Sequence, residues 1–116
     1  MTQHAPFAET AAGADVGRQL AQLREVLALV RQIAGRSEPA VTAEAALNHA
    51  ARASAAYADA LPVAQRRFDA LIAETAAWAA AGVDALTRSG GPPPAAARLA
   101  EELSIAIEEL ERLLRL

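Results

Sequence analysis

Alanine supplies more than half of the apolar residues in this chain, and that constrains its fold more than any motif does. Ala has the highest helix propensity because its methyl group loses no rotamer entropy and hides no polar atom. The same methyl group adds little core volume. The chain is therefore expected to be all-α, an antiparallel bundle of three or four helices packed closely over a thin core. Small domains bury a modest share of their surface. A second copy is expected to complete the burial, giving a homo-oligomer, most simply a dimer.

The bulk numbers exclude several classes. At 116 residues the chain is one domain. It has no cysteine, which removes disulfides, thiolate metal sites and cysteine nucleophiles. No stretch reaches the roughly 18 uncharged apolar residues of a membrane span. The most apolar window, 68–86, is interrupted by Asp69, Glu74 and Asp84. Residues 1–13 contain no Lys or Arg and do not read as a secretory signal, so the expected place is the cytoplasm. The formal net charge of −3 and the pI near 5.3 speak against a nucleic-acid partner. All eleven Lys-plus-Arg positions are Arg, which reads as the codon usage of a GC-rich bacterial genome.

Punctuation divides the chain into segments. Residues 1–13 hold Pro6 and Gly13 without an apolar stripe and are expected to form a flexible arm, leaving 14–116 as the bundle. Asp15 is the predicted N-cap of a first helix with the stripe Val16, Leu20, Leu23, Leu27, Val30 and Ala34, flanked by Val26, Leu29 and Ile33. Gly35 and Pro39 end it. Thr42 is the predicted cap of the next helix, whose stripe of Leu47, Ala50 or Ala51, Ser54, Tyr57 and Leu61 is thin. Pro62 allows two readings of 42–88. Either Asp59 caps a new helix with Pro62 in its first turn, or one long central helix is kinked at Pro62. The stripe continues in phase across Pro62 through Ala64, Phe68, Leu71 with Ile72, Thr75, Ala79, Gly82 and Leu86, as a kinked helix would have it, but an interior proline costs about 3 kcal/mol, which favours the break. The run Ser89-Gly90-Gly91-Pro92-Pro93-Pro94 is a connector, and a last helix starts near Pro94. Its seam of Leu99, Leu103, Ile107, Leu110, Leu113 and Leu114 is the densest in the chain.

Charge separates the first and last helices. Residues 14–36 carry Arg18, Arg24, Arg31 and Arg36 against Asp15 and Glu25, whereas 91–116 carry five Glu against Arg98, Arg112 and Arg115. They are expected to lie antiparallel, within one chain or across a dimer.

Chemistry-bearing residues are sparse. His49 lies about 200° around its helix from Leu47 at 100° per residue, facing solvent or a neighbour. The run His49-Ala50-Ala51-Arg52-Ala53 resembles the phosphoacceptor helix of histidine phosphotransfer domains, with Arg52 in the basic place and Ala53 in the small one. The resemblance implies His49 as phosphoacceptor and Arg52 as its charge partner. The family's Lys-Gly is Arg52-Ala53 here, its large aliphatic residue is Ala51, and its turn glycine is replaced by Asp59. An ordinary surface histidine is the preferred reading of His49, and His4 has no evident role. Glu44 and His49 do not share a face, so no metal site or cofactor is expected. Residues 98–113 also fit the spacing of a DNA-binding helix-turn-helix, but Glu108, Glu109 and Glu111 would oppose phosphate.

The expected function is therefore a non-enzymatic protein-interaction module: a small regulator, adaptor or chaperone-like subunit. It would associate with itself and with another protein through Leu99, Leu103, Ile107, Leu110, Leu113, Leu114 and Trp78. Phosphotransfer through His49 is the alternative, and DNA binding the weaker one.

Overall fold

The computed structural model describes the backbone of residues 4–36, 39 and 41–116, and side chains from residue 16 onward. Among the described residues four helices pack into a rod of 50 × 27 × 26 Å: α1 (His4–Ile33), α2 (Ala43–Asp59), α3 (Pro62–Arg88) and α4 (Pro93–Leu113). The described residues contain no strand, and the fold is all-α.

α1 begins at His4, well ahead of the Asp15 cap. The expected arm 1–13 is thus helical from residue 4, while residues 1–3 and the side chains of 4–15 lie outside the described residues. Ala5, Ala8, Ala11, Ala12 and Ala14 supply the propensity that carries the helix past Gly13. At its other end Gly35 takes φ 84°, the left-handed conformation that closes a helix most cheaply in glycine. Thr42 caps α2 as expected, its hydroxyl accepting the Ala45 N–H at 3.1 Å.

The Pro62 alternatives resolve to the break, not the long kinked helix. Ala60 (ψ 152°) and Leu61 (ψ 149°) are both extended, and Pro62 opens α3. The proline ring crowds the preceding residue out of the helical region, and the first helical position needs no N–H. Leu61 rather than Asp59 holds the cap position, and Asp59 ends α2. Gln65 ties the corner by donating to the Tyr57 carbonyl at 2.7 Å. At the second hairpin Gly90 and Gly91 both have positive φ, 83° and 68°.

α1 and α4 form the central antiparallel pair. Arg24 reaches Glu111, and seven residues on, Arg31 donates to Ser104, seven residues back, at 3.4 Å. The cationic first helix and the anionic last helix therefore meet within one chain. α3 packs on α4 and more loosely on α1, and α2 packs on α1. The core is Val16, Leu20, Leu23, Leu27 and Val30 of α1, Phe68, Ile72 and Leu86 of α3, and Leu103, Ile107 and Leu110 of α4. Ala53, Ala79, Ala96 and Ala100 fill the gaps where helices approach closely.

α2 turns the middle of its expected stripe inward, Ala50, Ser54 and Tyr57, together with His49, Ala53, Ala56 and Ala60, whereas the two leucines at its ends, Leu47 and Leu61, are 71% and 68% exposed. The reason is the closeness of α1. A Cβ on Gly17 would lie 2.4 Å from the Ala50 carbonyl oxygen and 2.6 Å from Ser54 Oγ. Only small side chains fit such a contact, and every residue of 43–48 is exposed.

Candidate functional site

Two features could carry function: a polar cluster where α1, α2 and α4 meet, and a groove between α1 and α3.

The cluster brings together residues far apart in sequence. His49 of α2 places Nε2 3.1 Å from Glu111 Oε2 of α4, and the same oxygen receives Arg24 of α1. The imidazole and the Glu111 carboxylate are 19% and 18% exposed. Nε2 itself is buried and off the line of a good hydrogen bond. Burial pushes the His49 pKa below its ordinary 6.5, Arg24 and more weakly Arg52 push the same way, and Glu111 pulls against them. The net effect is a neutral ring at pH 7. A phosphoryl group arriving at Nε2 would meet a carboxylate, and Arg24 is already engaged by that carboxylate. His49 faces a neighbour, and its placement is that of a residue pinning α2 to the α1/α4 pair.

A second contact pins the far end of α2. The Tyr57 hydroxyl donates to both Asp69 oxygens, at 2.9 and 3.1 Å, and its ring meets Phe68 edge to face at 5.7 Å. Burial first, then this bond, raises the Tyr57 pKa above 10.

The groove has a volume of about 850 Å³. Its floor is Leu23, Ile72 and Ala79, its α3 wall is Ala73, Ala76, Ala80 and Val83, and its α1 wall is Gln19, Gln22 and Val26. It exists because the α3 wall is alanine: methyl groups cannot span the gap to α1. Gln19, Gln22, Val26, Leu29 and Ile33 follow one another at three- and four-residue steps, so the exposed Leu29 and Ile33 prolong the same stripe. Asp69 and Asp84 stand on the lining, and no arginine does. A smaller hollow of about 320 Å³ lies between α3 and α4, where Leu99 comes against Gly82.

Of the residues expected to make an interface, Leu103, Ile107, Leu110 and Leu114 are buried in the chain's own core, and Leu99, Leu113 and Trp78 pack against it half-buried. Within the chain, α1 and α3 flank α4 and cover this seam. α4 runs unbroken from Pro93 to Leu113, so no turn separates the two halves a helix-turn-helix requires. Among the described residues no group of three or more His, Asp or Glu could hold a metal ion. None of their helices is long and apolar enough to cross a membrane.

Sequence reasoning missed the groove and the Arg24–His49–Glu111 cluster. The signal for the groove was present in the Ala73, Ala76, Ala80 spacing, which marks one face of α3 as small. The cluster had no local signal, since its members come from three helices. Comparison with known protein families, with characterised proteins and with solved structures finds no match to this chain.

Proposed function

We propose that this protein is a non-enzymatic interaction module, a small regulator, adaptor or chaperone-like subunit, whose working surface is the α1/α3 groove. The supporting observation is an apolar trough between two helices that runs onto exposed Leu29 and Ile33. Grooves of this kind take the apolar face of an amphipathic helix. The contiguous apolar surface gains free energy when covered.

The test is a titration of the isotope-labelled protein with a neutral helical peptide of Leu, Ala and Gln, about five turns long, followed by NMR shift mapping. Shifts are expected at Val26, Ala73, Ala76, Ala80 and Val83. Ala76→Arg should abolish them without moving the thermal melt, because Ala76 is exposed. Shifts confined to another face, or none, would refute the reading.

A further inference from the structure

We infer that the groove receives a cationic amphipathic helix from another protein, an inference that rests on reading the groove as an interaction surface. Among the described residues the charged side chains on its lining are Asp69 and Asp84, both carboxylates. No arginine lines the groove, and two of those on α1 are engaged away from it: Arg24 is held by Glu111, and Arg31 donates to Ser104. Gln19 and Gln22 occupy the α1 side instead. The groove is thus apolar along its floor and negative at both ends.

Both carboxylates have capacity left for a partner. Asp69 accepts one hydroxyl proton from Tyr57, and an ionised carboxylate has about four lone-pair sites. Asp84 meets Arg88 at 3.3 Å, but that pair is 66% and 73% exposed and belongs to the weak class of surface ion pairs. Asp69 and Asp84 are fifteen residues apart on α3, about 22 Å at 1.5 Å per residue. A matching helix therefore carries Lys or Arg at positions about four turns apart, with Leu-sized residues at three- and four-residue steps between them. A second copy presenting the same groove fits poorly, because it would set Asp69 and Asp84 against carboxylates of their own kind. The occupant is a different chain.

The experiment uses the full chain and three fluorescein-labelled helical peptides that share a Leu/Ala stripe. Their two outer positions, fifteen residues apart, carry Lys, Gln or Glu. Anisotropy at low salt should show the Lys peptide binding roughly tenfold more tightly than the Glu peptide, with the Gln peptide between. The preference should shrink at high salt, where exposed charges are screened. The double variant Asp69→Asn, Asp84→Asn should bind all three peptides alike. Equal binding of Lys and Glu peptides by the wild-type protein would overturn the cationic inference and leave the groove reading standing. A Lys preference that survives in the double variant would overturn it too, by placing the charge elsewhere. Failure of all three peptides would overturn both readings.

Discussion

Gly17 and Gly82 both sit inside helices, yet they meet different neighbours. A Cβ on Gly17 would strike the Ala50 carbonyl, which is backbone and cannot step aside, whereas on Gly82 it would meet Leu99 Cδ1 at 2.8 Å, the far end of a flexible side chain. Gly17→Ala should therefore destabilise by about 1–3 kcal/mol through overpacking. Gly82→Ala should be near neutral or stabilising, since Gly in a helix interior costs about 1 kcal/mol relative to Ala. Thermal melts of the pair decide it, and equal shifts would refute the close approach of α1 and α2. Thr75 is fully buried and its Oγ1 has no hydrogen-bond partner. Val has the same shape without the hydroxyl, so Thr75→Val should leave stability unchanged or raise it by about 1 kcal/mol in chemical unfolding. His49 gives a pH dependence of known sign. Its folded pKa is lowered, so below pH 6.5 the unfolded chain takes up a proton that the folded chain resists. Stability should be fully present above pH 6.5 and decline as pH falls through the lowered pKa. His49→Gln should flatten that decline in urea titrations between about pH 7.5 and 5.5, a window set by the reference His and carboxylate pKa values. An unchanged slope in the variant would assign the pH dependence to other groups.

At the scale of the helices, stripe reading located the buried faces of α1, α3 and α4 and the middle of the α2 face, and missed at the two ends of α2. Val16, Leu20, Leu23, Leu27 and Val30 of α1, and Phe68, Ile72, Thr75, Ala79 and Leu86 of α3, are buried at the positions their spacing gives. For these stripes a wrong phase would expose several large apolar side chains, so hydrophobicity alone selects the face. α2 has no such contrast. Its inward face is built mostly of methyl groups, and it is held by the close contact at Gly17, the approach of His49 to Glu111 and the hydrogen bonds of Tyr57. Leu47, at the N-terminal end of the expected stripe, points to solvent while Ala50, Ser54 and Tyr57 turn inward. Leu110→Ala and Leu27→Ala should each cost about 2–5 kcal/mol, whereas Leu47→Ala should stay within about 0.5 kcal/mol. Differential scanning calorimetry of the three variants checks the assignment, and a large Leu47 effect would put Leu47 in the core.

At the scale of the molecule, the α4 seam is spent inside one chain, and the remaining groove carries like charges that would face each other across a two-fold axis. The protein should sediment near 12.0 kDa at equilibrium in the low micromolar range. A mass of twice that value would show pairing through a face other than these two. The sequence by itself determined the helical class, the caps and turns at Thr42, Gly35 and Gly90-Gly91, and the buried stripes of α1, α3 and α4. Those are local matters, fixed by propensity, by φ and by the period of large apolar side chains. Tertiary structure alone decided that the ends of the α2 stripe stay exposed, that the α4 seam packs against α1 and α3 of its own chain, and where a groove is left open. Each depends on how near two helices come. In a chain built on alanine that distance is set by backbone contact at points such as Gly17 and by polar groups from three helices meeting at Glu111. Such contacts leave no periodic trace along the sequence.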